Sequence, residues 1–125
     1  MILNILMVGL GGIIGALLRY ELSKHIKEKR DVIVPIETFI INTFGAFLLN
    51  LLSNPNIYRL ISNDMKLFVI TGFIGAFTTY STFSHESISL IRDKHYLHAF
   101  IYIALTVIMG LLGAALGYFL GSIFR

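Results

Sequence analysis

The densest group of side chains able to do chemistry is the run Thr78-Thr79-Tyr80-Ser81-Thr82-Phe83-Ser84-His85-Glu86, directly after the apolar Gly72-Phe73-Ile74-Gly75-Ala76-Phe77. On a continuous helix Thr78, Ser81, Thr82 and His85 share one face, with Tyr80 and Phe83 on the next. Hydroxyls in apolar surroundings need partners. Either each bonds back to its own helix, or the run replaces backbone hydrogen bonds where a helix breaks and lines a solute path. Asn42, with Thr38 one turn earlier, is a second polar point in an apolar stretch; it either bonds another helix or meets a solute. Tyr102 and Thr106 add hydroxyls four residues apart in the last apolar stretch. Arg19 ends the first one, where it either snorkels to headgroups or forms a positive mouth that gathers anions. Glu86 closes the hydroxyl run, either at the interface or paired with Arg19.

Other chemistries lack their residues. There is no cysteine, and His25, His85, His95 and His98 are scattered without an acidic cluster to complete a metal site. No nucleophile stands with a base and an orienting partner. Gly9-Leu10-Gly11-Gly12 is not followed by the lysine that a phosphate loop needs. A net charge of +3 is too small and dispersed for nucleic-acid binding; in a membrane protein such a surplus sits in loops near anionic headgroups.

The elements that must position these residues are membrane spans. Of 125 residues, 56% are hydrophobic and only 14% charged, and mean hydropathy is +0.80. The charges gather at Arg19 to Asp31, Arg59 to Lys66 and Arg92 to Lys94, leaving long, nearly uncharged runs between. Four helical spans are predicted, at about 2–22, 34–52, 67–85 and 97–124, each near the roughly 20 residues needed to cross. The alternation of membrane strands is absent. The chain therefore reads as one domain, residues 1–125, an all-α integral membrane protein with the lipid bilayer as a partner. No lysine or arginine precedes the first apolar run, so that run reads as a retained span and not a signal peptide. Asn54-Pro55-Asn56 signals a turn. Four spans put both termini on one side. Loops one and three carry Lys24, Lys27, Lys29, Arg30, Arg92 and Lys94, against Arg59, Lys66 and Arg125 elsewhere. This modest bias favours both termini outside and leaves insertion in either orientation open.

Gly11 and Gly15, and Gly113, Gly117 and Gly121, form faces that let helices approach closely. They serve either packing within one bundle or a dimer interface. Four short helices enclose little interior, so a solute path calls for a second subunit. Its lining would be hydroxyls, one amide and aromatic rings. Cation paths use carboxylates or carbonyl rings, and proton-coupled exporters need a titratable acid within the bundle; neither is evident mid-span. Hydroxyl and amide donors suit a small, strongly hydrated anion, and aromatic edges carry partial positive charge toward it. Fluoride fits best, being small enough for a narrow pore that rejects chloride by size.

Over nearly its whole length the chain resembles the CrcB/Fluc family of fluoride ion channels. The matching stretches are Gly11-Gly12-x-x-Gly15-Ala16-x-x-Arg19-Tyr20, then Thr38-x-x-x-Asn42-x-x-Gly45, then Gly72-x-x-Gly75-x-Phe77-Thr78-Thr79-Tyr80-Ser81-Thr82-Phe83-Ser84-x-Glu86. The third is long and specific, and the order and spacing of all three agree. The resemblance implies an antiparallel, dual-topology dimer of four-helix subunits in the bacterial plasma membrane, with two narrow fluoride pores. It implies a third helix broken mid-membrane, where carbonyls of Gly75 and Thr78 from both subunits hold a structural sodium ion that is not transported. It implies pore aromatics at Tyr80 and Phe83, where the family usually has Phe at the first position. Asn42 matches the pore amide and Arg19 the arginine ending helix one, beside the vestibule. Ser81 and Thr82, with Thr106 and Thr38, would complete the polar lining. The partner is a second copy or a paralogous chain of opposite orientation. The activity implied is passive export that lowers cytoplasmic fluoride, with no enzymatic step. The alternative is a small proton-coupled multidrug exporter, also a four-helix dimer, which needs a buried acid in helix one; none precedes Glu21. A structural subunit of a larger membrane complex is a further alternative.

Overall fold

Both prolines stand at helix starts, where a missing N–H removes no intrahelical bond. Pro35 directly precedes α2 (Ile36–Ser53), and Pro55 opens the short α3 (Pro55–Tyr58). The computed structural model describes residues 1–124 and is all-helical. Arg125, counted above in the charge comparison, lies outside the described residues. The chain begins with α1 (Ile2–Lys29). After α3 come the single turn α4 (Asn63–Met65), a wide π-helical segment over Lys66–Ile74, and another single turn, α5 (Gly75–Phe77). Then follow α6 (Tyr80–Arg92) and α7 (Tyr96–Ile123). Four stretches are long and apolar enough to cross a membrane: Ile2–Lys29, Ile36–Ser53, Asn63–Arg92 and Tyr96–Ile123.

The helical boundaries differ from the apolar ones. At 28 residues, α1 is about 42 Å long, against a hydrocarbon core of about 30 Å. The excess is the charged end from Tyr20 to Lys29, which keeps helical geometry because Glu, Lys and Leu are good helix formers. The third span continues past His85 to Arg92 but is not one helix. Thr78 (φ −79°, ψ 152°) and Thr79 (φ −147°, ψ 111°) are extended between α5 and α6. Thr78 therefore does not share a helix face with Ser81, Thr82 and His85.

The glycine faces pack within the chain. A Cβ on Gly11 or Gly15 would strike the backbone of Phe68 or Phe73 in the π-helical segment. A Cβ on Gly117 would strike the Phe47 carbonyl of α2, and one on Gly121 would strike Asn54. So α1 lies against the third span, and α7 against α2. Asn54 fastens that second pair: buried, it donates to the Tyr118 carbonyl (2.9 Å) and Ser122 Oγ (3.1 Å), while its Oδ1 caps α3 at the Asn56 amide (3.0 Å). Leu90, Ala99 and Tyr102 form a small core at one end, with Val34, Phe39, Phe83 and Ile103 packed against it. Ile41, Ile74 and Phe77 are buried as well, while most other leucines, isoleucines and phenylalanines face outward, as a chain solvated by lipid requires.

Gly117→Ala is expected to lower stability in detergent by about 1–3 kcal/mol, because backbone atoms cannot yield to the added methyl. Gly9→Ala, with open space around it, is expected not to lower the unfolding temperature, since alanine is the better helix former; equal losses in the two variants would contradict this packing.

Candidate functional site

The extended pair Thr78–Thr79 breaks the helical ladder, and Asn42 of α2 repairs it. Asn42 Oδ1 accepts from the Thr79 amide at 2.8 Å, and Asn42 Nδ2 donates to the Thr79 carbonyl at 2.9 Å. In a continuous helix that amide would bond the Gly75 carbonyl. An Asn side chain has two N–H donors, so Asn42 retains one beyond this exchange. Most of the hydroxyl run serves the same break. Thr79 is the N-cap of α6: its hydroxyl accepts from the Thr82 amide (3.2 Å) and donates to Thr82 Oγ1 (2.9 Å). Ser81 Oγ lies 3.3 Å from the Thr79 hydroxyl. Thr78 Oγ1 bonds back to the Ile74 carbonyl at 3.0 Å, so for this residue the self-satisfying reading holds.

Two cavities flank the break, and Thr79 contributes to both walls. One, of about 500 Å³, is lined by Arg19, Tyr20, Lys24, Lys27, Thr38, Thr79 and Thr82, among others. The other is an open groove of about 460 Å³, whose polar and aromatic lining is Asn42, Thr78, Thr79, Tyr80, Phe83 and Thr106. Tyr80 and Phe83 have ring centroids 6.0 Å apart, and Phe83 and Tyr102 have theirs 5.5 Å apart. Thr106 lines the groove, and its hydroxyl is buried without a protein partner among the described residues, as is that of Thr43 away from the groove. A buried polar group left unpaired calls for a partner that these residues do not supply.

Glu86 does not pair with Arg19. Its Oε1 accepts from Thr38 Oγ1 (3.1 Å) and its Oε2 from the Tyr102 hydroxyl (2.8 Å). The Thr38 proton is thus engaged, although Thr38 lines the Arg19 cavity. Arg19 has no ion pair among the described residues. Ser81 and Gly75 are exposed and line neither cavity. The residues singled out by sequence therefore separate into three groups. Arg19, Thr38 and Thr82 share one cavity; Asn42, Tyr80, Phe83, Thr106 and Thr78 share the groove; Gly75 and Ser81 face outward.

The family described as CrcB-like protein, Camphor Resistance (CrcB), matches residues 6–118, which include every residue lining the two cavities. The chain belongs to the CrcB family. Among relatives of this CrcB chain, one from Hydrogenobaculum sp., named "Fluoride-specific ion channel FluC", is 46% identical over 97% of this chain and 99% of its own. One from Bacillus thuringiensis subsp. konkukian, named "Fluoride-specific ion channel FluC 2", is 40% identical over 94% and 97%. One from Listeria monocytogenes, named "Fluoride-specific ion channel FluC 1", is 40% identical over 97% and 99%.

Two residues of the CrcB site escaped sequence reasoning. Thr79 looked like one more hydroxyl in the run; its signal was the N-cap spacing to Thr82, visible only once the helix is known to restart at Tyr80. Tyr102 was noted for its own spacing to Thr106, but no local pattern ties it to Glu86. In this CrcB chain, Asn42→Ala leaves the Thr79 amide and carbonyl without their side-chain partner. A stability loss of about 1–3 kcal/mol and faster hydrogen exchange at the Thr79 amide are expected; unchanged exchange there would contradict the assignment.

Proposed function

We propose that this multi-pass CrcB-family membrane protein is a fluoride-specific ion channel that lowers cytoplasmic fluoride by passive export of the anion from a bacterial cell. The observation that carries this reading is the groove wall: an amide, a partnerless hydroxyl and two aromatic rings, with no carboxylate or ammonium among its lining residues. Fluoride sheds water only where hydrogen-bond donors replace it. Asn42 has an N–H to spare, Thr106 offers its hydroxyl, and Tyr80 and Phe83 present ring edges of partial positive charge. Arg19, with no ion pair among the described residues, concentrates anions at the mouth of the neighbouring cavity. Thr82 has its oxygen engaged by Thr79 and its own proton available there. The names of the relatives support the same ion.

The channel is a dimer of oppositely oriented subunits in this proposal. Tyr80 is 80% exposed, and its groove is open along one side, which supports a wall supplied by a second chain. That chain is a second copy or a paralogue; the numbered names FluC 1 and FluC 2 support the existence of paralogous pairs. The interruption at Thr78–Thr79 lies at the dimer centre, midway through the membrane, in this reading. Gly75 and Thr78 suit a resident sodium ion: the Thr79 amide that would cover the Gly75 carbonyl goes to Asn42, Gly75 has open space around it, and Thr78 is extended. When bound, the ion supplies fixed positive charge near the anion paths. The exporter alternative gains nothing from the groove, which has no acid to carry a proton.

Purified chain in liposomes, with sodium present and any paralogous partner supplied, is expected to release fluoride far faster than chloride. No fluoride release under those conditions would refute the channel. Phe83→Ile removes a ring edge and Asn42→Asp places a carboxylate in the anion groove; each is expected to bring flux to background. Unchanged flux in both would remove these residues from the path. Release is expected to persist without a proton gradient and in Glu86→Gln, whereas the exporter reading requires that a protonophore collapse transport and that Glu86→Gln remove it.

A further inference from the structure

The cavity beside Arg19 has a smaller neighbour of about 290 Å³ at the same end of the molecule, whose charged lining is Lys27, Arg30, Glu37, Glu86 and Asp93. Lys27 is the one residue that lines both. Its ammonium lies 3.4 Å from Glu37 Oε1. Glu37 is 5% exposed and sits in the first turn of α2, immediately before the cavity residue Thr38. Lys27 is its sole hydrogen-bonding or ionic side-chain partner among the described residues. A buried carboxylate without a counter-charge is costly, and Lys27 supplies that counter-charge. Glu86 lines the same smaller cavity as Glu37, and its partners Thr38 and Tyr102 are neutral hydroxyls that bring no positive charge.

Asp93 has the Arg92 guanidinium 3.8 Å away, which leaves Glu37 and Glu86 in the smaller cavity and Glu28 in the Arg19 cavity itself as the carboxylates bordering the approach to an anion path. In a partly dry cleft, fields of single charges are focused and not screened as they are in bulk water. We propose that Lys27 is a positioning residue for anion entry: its ammonium cancels the Glu37 charge, so that Arg19 and Lys24, two cations against the single Glu28 in the same lining, keep the mouth positive. The inference rests on the fluoride-channel reading. The Lys27 side chain is 63% exposed, so the pair ties α1 to α2 only weakly. Removing it changes the field at the mouth more than the fold.

Fluoride efflux from liposomes, at low and at high ionic strength, tests this with four variants. Lys27→Gln is expected to slow efflux about tenfold at low ionic strength, the lower end of what focused fields supply, with the defect shrinking as salt is added. Lys27→Gln combined with Glu37→Gln is expected to return efflux to the wild-type rate. Lys27→Arg is expected to hold it there, and Glu37→Gln alone to equal or exceed it. A Lys27→Gln protein as fast as wild type at low salt overturns the proposal. So does a double variant as slow as a folded Lys27→Gln, or a Glu37→Gln protein slower than wild type; this last comparison stands even where Lys27→Gln alone does not fold. A wild-type chain that passes no fluoride overturns the channel reading itself, whereas wild-type flux with any of the other failures overturns the role of Lys27 alone.

Discussion

One side-chain amide holds the interruption of the third span together. Asn42 gives the Thr79 backbone both a donor and an acceptor, so that this extended residue has both its polar backbone groups paired within a membrane protein. Everything near the cavities follows from that exchange. It ends α5 at Phe77, lets α6 restart with Thr79 as its cap, and sets Tyr80 and Phe83 on a helix of independent direction. It also explains why so many hydroxyls are needed. Most of them stabilise the break, and few remain for a solute.

That economy divides the polar residues by duty. Thr78 and Thr79 satisfy backbone, and Thr38 and Tyr102 satisfy Glu86. Thr106 keeps an unmet hydroxyl, and Asn42 keeps one N–H, both at the groove. The rigid frame for these few groups comes from glycine. Backbone-to-backbone contact at Gly11, Gly15 and Gly72 on one side and Gly117 on the other leaves little room for the helices to shift.

Much of this was legible in the residues before any coordinates. Hydropathy and charge clusters locate the four apolar stretches, since lipid requires long uncharged runs. The motif around Thr78 marks the family. Other features were not legible, for identifiable reasons. The helical end of α1 lies beyond its apolar part, where hydropathy is silent and only helix propensity speaks. The single face assigned to Thr78, Ser81, Thr82 and His85 presumed an unbroken helix. The Glu86 partners are 48 and 16 residues away in sequence, and no periodicity within one span reports a contact between spans. Nor does spacing tell which glycine face meets its own chain; the backbone atoms facing Gly11, Gly15 and Gly117 do.

The length of α1 has a consequence for membrane thickness. Its charged end begins just past Arg19, and pushing Lys24 or Lys27 into hydrocarbon would cost about 2.5–3.5 kcal/mol for each charge brought to the centre. The opposite end, Ile2 to Val8, is apolar apart from Asn4, and charge on that side comes instead from Arg59, Asp64 and Lys66 of the second loop. Within α1 itself, depth is therefore registered from the Lys24 side. Arg19, five residues below Lys24, is held about 7.5 Å beneath it along the helix axis. In a bilayer of another thickness α1 adjusts by tilting about its Lys24 end, and the arginine keeps its distance from the headgroups on that side.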